Sequence, residues 1–231
     1  MSPLTMFEKD AGQTRHLRHD YIYGRQVTLG ASMGFADDTS QTTHTFSYTS
    51  GGGSNKLLLV VVDDQYTSAA DPTSITYAGA ALTKLDGASC GSNNRFSIWY
   101  KINPATGTNN LVITTSSNSR VQGVVADFCG VNQTTPLGVD TATAASSASS
   151  ISTDISSVGT DLIFDGVGSR TVLTFTAGAD QVALAATQST SVCSACASIK
   201  LPSITGTTTM AWSCSISSAN LEQFTVAIKV A

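Results

Sequence analysis

The sequence predicts an all-β protein: an antiparallel β-sandwich, jelly-roll-like, preceded by an extended N-terminal arm. Three observations carry this. Short apolar or alternating runs recur along the chain, among them Leu57–Val62, Ile75–Thr83 and Phe96–Tyr100, each bounded by Gly, Asn, Asp or Ser. Nothing between them has a helical period. Only 12% of the 231 residues are charged, against about a quarter in typical domains. Ser, Thr, Ala, Gly and Asn take their place, which suits strands with a neutral polar outer face.

Residues 1–25 form the predicted arm. Lys9, Arg15, Arg18 and Arg25 supply four of the twelve Lys and Arg, beside Tyr21, Ile22 and Tyr23. Basic and aromatic side chains together suit a contact with another subunit, so Arg15, Arg18, Tyr21, Tyr23 and Arg25 are the candidate partner-binding residues. The alternative is a disordered leader.

Residues 26–231 are read as one sandwich domain. Val27–Ala31 and Thr43–Tyr48 alternate as half-buried strands do, and Ser50–Asn55 is a loop inside the domain. Leu57–Val62 is apolar at every position, which predicts a central strand covered on both faces. Asp63 and Asp64 then read as its solvated end. Ile75–Thr83 reads as a hairpin with Gly79 at a positive-φ turn position. Arg95–Ile102, Leu111–Thr114 and Val121–Phe128 follow, and Gly130–Gly138 turns the chain. Thr141–Ser150, nearly all Ala, Ser and Thr, reads as an exposed crossover between two sheets. Ile151–Ile155, Asp161–Gly168, Gln181–Thr187, Thr207–Ile216 and Gln223–Val230 complete about a dozen short strands.

Chemistry is sparse. Every histidine lies in the first 44 residues and no Gly-x-Ser-x-Gly elbow occurs, which argues against a Ser-His-Asp hydrolase. Adjacent carboxylates on a strand point to opposite faces, so neither Asp37-Asp38 nor Asp63-Asp64 alone frames a glycosidase cleft. No cofactor is expected; calcium is the one metal worth weighing, at Asp63, Asp64 and Asp71 around a loop. Carbohydrate binding is the rival reading, with Tyr66, Trp99 and Tyr77 as stacking candidates. Trp99 and its neighbours are equally read as core aromatics. Cys90, Cys129, Cys193, Cys196 and Cys214 make an odd set. Cys193 and Cys196 are read as a loop pair that oxidises after release, and Cys214 and Cys129 as structural thiols. A net charge of -4 gives no basic footprint for nucleic acid. No stretch reaches the roughly 20 apolar residues of a membrane span, and the first residues do not have the pattern of a secretory signal.

The ordered segments Gly53–Leu58, Ile75–Thr83, Asn94–Tyr100 and Gly130–Gly138 together resemble a β-sandwich module of tailed-phage virion proteins and large bacterial surface proteins. The resemblance spans about Val27–Val230 and implies decoration, fibre or adhesion roles without a shared active site. The expectation is therefore a non-enzymatic virion structural protein made in a host cytoplasm. It would be a capsid decoration or cement subunit, or a head or tail fibre subunit, held by its arm to other virion proteins and homo-oligomeric. A lectin-like adhesion module for host-surface glycans is the alternative, and an accessory domain of a secreted hydrolase the third.

Overall fold

A computed structural model describes residues 26–231, apart from 66–69, 92, 203, 204 and 218. The described residues hold sixteen strands and all the pairings are antiparallel. In chain order they are β1 (Thr28–Ser50), β2 (Leu57–Gln65), β3 (Ser74–Tyr77), β4 (Ala80–Ala81), β5 (Thr83–Ser89), β6 (Asn94–Ile102), β7 (Gly107–Cys129) and β8 (Leu137–Ala148). Then come β9 (Ser150–Ser157), β10 (Leu162–Ser169), β11 (Phe175–Ala177), β12 (Val182–Ala183), β13 (Gln188–Ser189), β14 (Ser194–Lys200), β15 (Gly206–Cys214) and β16 (Ala219–Ile228). The expected arm, with Arg15, Arg18, Tyr21, Tyr23 and Arg25, lies outside the described residues, as does Tyr66.

Three sheets stack, one more than the sequence suggested. The first joins β1 to β7 and runs β4-β3-β7-β2-β6-β5; the middle sheet runs β12-β14-β10-β16-β8 with β13 beside β14; the outer sheet is β11-β15-β9. β1 and β7 are continuous where the sequence suggested two strands each. They pair from Thr28↔Cys129 to Ser50↔Gly107, with register shifts between Leu29 and Ala31 and between Asp37 and Thr43. Such bulges bend a strand without ending it. On the other edge of β7, β2 pairs along Arg120–Phe128 and β3 along Leu111–Thr114. Phe35, Leu58, Val60 and Trp99 from one half share a buried cluster with Tyr48, Ile75, Tyr77 and Ile113 from the other. The first sheet therefore curls over itself.

This curl is why β2 is apolar throughout. Leu58, Val60 and Val62 face the curl, while Leu57, Leu59 and Val61 face the middle sheet. All six are fully buried, each contributing about 1.5–3 kcal/mol. Across from them, Phe96 stacks on Phe224 with ring centroids 5.5 Å apart. It rests on Gly168, where a Cβ would come within 2.7 Å of its ring. A second core, holding Ile151, Val167, Phe175, Trp212 and Leu221, joins the middle and outer sheets. The Ala/Ser/Thr stretch is not a crossover loop but β8, paired with β16 from Ala219↔Ala148 to Ile228↔Leu137. The hairpin is confirmed: Ala78 (φ 52°) and Gly79 (φ 75°) both take positive φ, as the tight turn between β3 and β4 requires.

Candidate functional site

Two of the aromatic candidates for sugar stacking, Trp99 and Tyr77, are withdrawn into the core. Trp99 lies opposite Val60 in the ladder, 6% exposed, and its Nε1 donates to Ser97 Oγ at 2.9 Å. Its faces are covered because β6 lies under the curled half of the first sheet, which for Trp99 favours the packing reading over the glycan-contact one. Tyr77 is fully buried, and its hydroxyl donates to Gly107 O at 2.9 Å.

The carboxylates proposed for calcium are pulled apart. β2 runs on to Gln65 with partners on both sides, so Asp63 and Asp64 are buried rather than solvated. They face opposite cores. Asp71 is held by Lys84 and by Arg95, whose Nε lies 2.7 Å from Oδ1. Burial opposes ionisation of Asp71, but the bonds from Arg95 and Lys84 outweigh it and lower its pKa. Among the described residues, no group of three His, Cys, Asp or Glu side chains converges as a metal centre would require.

Asp63 heads a polar set at one end of the space between the first and middle sheets. It pairs with Gln122 across the ladder, and Asn94 follows two residues before its other partner, Phe96. Both carboxylate oxygens of Asp63, and the amide N and O of Asn94 and Gln122, are buried without a hydrogen-bond partner. Desolvation raises the Asp63 pKa well above the usual range. Asp64, on the other face, is raised by burial to about 7, with the charge of Asp71 adding to it.

Three of the thiols, Cys90, Cys193 and Cys196, are inert by environment. Burial, with the Asp63 charge beside them, raises Cys90 and pushes Cys193 up to about 12; burial lifts Cys196 to about 11. A thiolate is the reactive form, and these sites disfavour it. Cys193 sits beside Asp63 and Gln122, whereas Cys196 packs in the core under the outer sheet. The two thus diverge across β14, which corrects the reading of an oxidisable loop pair. All five cysteines are free.

Two further polar joints escaped the sequence. His44 is fully buried; Nδ1 meets Asp37 Oδ2 at 2.9 Å and Nε2 meets Gln41 O at 3.1 Å. Asp37 also accepts from Thr39 N at 2.9 Å and Gln41 Nε2 at 2.7 Å. With both ring nitrogens committed, the pair staples the bulge in β1 rather than activating a serine. Asp165, fully buried on β10, accepts from Ser198 Oγ, from Trp212 Nε1 at 2.7 Å and from Gln223 Nε2 at 2.8 Å. It ties β14, β16 and the outer sheet to one carboxylate. Desolvation still raises its pKa to about 6 despite three donors. The signal was in the sequence as Asp165 alternating with Phe164 and Val167 neighbours inside an apolar strand, where a charge is rare.

The outside is plain by comparison. The outward residues of β9 are Ser150, Ser152, Asp154 and Ser156, and β15 shows Thr207, Thr209 and Ser213. A groove of about 240 Å³ runs past Val139, Ser157, Val158, Ala227 and Lys229. Val139 and Val158 are 64% and 52% exposed. Comparison with family models, with curated proteins and with solved structures gave no match.

Proposed function

We propose that this chain is a non-enzymatic structural subunit of a virion, most concretely a capsid decoration or cement protein of a tailed phage attached through residues 1–25. A head or tail fibre subunit is the close variant. One observation carries the reading: the polar chemistry of the body is spent inside it, while its outward strands offer flat rows of small, mostly uncharged side chains. Asp63, Asp64, Asp127, Asp161, Asp165, Glu222 and Lys56 are all buried. Interlocked layers give a stiff body, and stiff neutral faces suit many weak contacts repeated by symmetry.

Co-sedimentation tests this. The full chain should pellet with particles from the cells that make it, and a chain lacking residues 1–25 should stay in the supernatant. Equal pelleting of both would remove the arm's role. Binding of neither, with specific capture on a glycan array, would replace the reading by the adhesion one.

A further inference from the structure

The second half of β1 forms an edge of the first sheet. Its first half is covered: Ser32 Oγ donates to Leu184 O at 2.7 Å, and Asp38 Oδ1 accepts from Ser191 N at 3.0 Å. From Thr39 to Ser50 the strand pairs only with β7 among the described residues.

The direction of its free backbone groups follows from β7. Thr114 O accepts from Thr73 N at 2.8 Å and Asn110 O accepts from Ala78 N at 3.1 Å. Even-numbered residues of β7 therefore address β3 here, and odd-numbered ones address β1. Alternation in an antiparallel pair then turns Tyr48, Phe46 and His44 toward β7. Thr43, Thr45, Ser47 and Thr49 present their N–H and C=O groups to the open side. All four are exposed. Each carries one donor and one acceptor, about eight groups in a row.

Proteins blunt such edges with charge, proline or covering loops. No Lys, Arg, Asp, Glu or Pro occurs between Thr39 and Ser50. We infer that this edge pairs, antiparallel and about a two-fold axis at Phe46, with the same edge of a second copy of the chain.

Self-complementarity selects that occupant. Centring the ladder on Phe46 sets Thr43 against the second copy's Thr49 and Thr45 against its Ser47, so all four outward residues find partners at once. The exposed face then carries Thr–Thr and Thr–Ser pairs, a favourable cross-strand chemistry. The chain already uses it where Thr49 Oγ1 meets Thr108 Oγ1 at 2.8 Å. On the inner face Phe46 meets its copy. It is half-buried, with its ring 4.6 Å from that of Phe35, and pairing would cover the rest. The inference does not rest on the virion reading: a chain that pairs in solution yet ignores particles keeps one and loses the other.

Sedimentation equilibrium of the full chain tests it. The wild type should show twice the chain mass. Thr45→Pro removes only an outward N–H, as an edge strand tolerates, and should give monomer with an unchanged circular-dichroism spectrum. The double variant Thr45→Lys with Ser47→Lys sets like charges opposite each other and should also be monomeric. Thr45→Lys with Ser47→Glu sets opposite charges across the axis and should restore the dimer. A wild type that is monomeric at every concentration, or a dimer indifferent to all three variants, would overturn the proposal. Dimer loss by the Lys/Lys variant with no rescue by Lys/Glu would overturn this register.

Discussion

Asp165 offers the sharpest test of how the layers are joined. Replacing it by Ala strands Trp212 Nε1 and one hydrogen of Gln223 Nε2, both inside the core. Ser198 also loses the acceptor of its hydroxyl hydrogen, but that hydroxyl can rotate and keeps the bond it accepts from Gln181 Nε2 at 2.8 Å. Two orphaned buried donors cost about 1–3 kcal/mol each, and the lost volume adds to that, so Asp165→Ala should cost about 3–5 kcal/mol. Asp165→Asn behaves differently with pH. Desolvation holds the folded carboxyl at a pKa of about 6, against 3.8 for the ordinary group. Between those values the folded state keeps a proton that the unfolded chain has released. The group's stabilisation is therefore complete below pH 3.8 and is lost as pH rises to about 6. At about 1.4 kcal/mol per pH unit, that window is worth about 3 kcal/mol. Asn does not titrate, so the variant should lack this part of the fall. Urea unfolding followed by circular dichroism from pH 4 to 7.5 measures both effects. An Ala variant within about 0.5 kcal/mol of wild type, or an Asn variant with an unchanged pH slope, would show that Asp165 is not the joint described.

Asp64→Asn should remove a second part of the same slope, over a window from 3.8 to about 7, read from the same titration. Lys56→Met should cost about 3–5 kcal/mol, because it leaves Asp127, 4.0 Å from Lys56 Nζ, buried without its counter-charge. It also frees Ser50 Oγ and Gly51 O, so proteolysis at Gly51–Gly53 should quicken at temperatures below the melt. Ala78→Gly should stabilise the hairpin by about 0.5–1 kcal/mol, since Ala78 takes a φ of 52° that glycine adopts freely. A lowered melting temperature would contradict that.

The fold was legible wherever burial left a periodic trace. Leu57–Val62 announced a strand covered twice, and Gly79 announced its hairpin, though not that Ala78 shares the positive φ. What the sequence hid were features set by partners rather than by pattern. β1 and β7 cross polar stretches, Asp38–Thr42 and Thr115–Ser119, that read as loops; they stay within continuous strands because the ladder resumes on both sides of the bend and pairs Gln41 with Ser119 inside it. β8 has no apolar side chain larger than Ala between Thr141 and Ala148, so only its ladder with β16 reveals it. β14 was obscured in the same way by small residues around Cys193 and Cys196. Asp63 and Asp64 looked like a solvated end because two adjacent acids usually are. Their burial depends on sheets that meet from opposite sides, which no local window contains.

That burial also changes what the surface shows. The formal charge of -4 counts every carboxylate as ionised. Asp63 is raised well above the usual range and Asp64 and Glu222 to about 7, all by desolvation first. At pH 7 about half a proton on each of Asp64 and Glu222 brings the charge to about -3, and the upward shift of Asp63 acts in the same direction. Self-repulsion between copies weakens accordingly, which favours association through neutral faces and open edges. The folded chain should therefore focus at a higher pH than the same chain in urea, where these carboxyls ionise normally. Asp37, lowered to about 2 by bonds from His44, Thr39 and Gln41 that outweigh its burial, does not offset this, because it is ionised in both states near the focusing pH. Coincident bands under native and denaturing focusing would mean that the buried acids are charged, and that the low surface charge argued for assembly is not real.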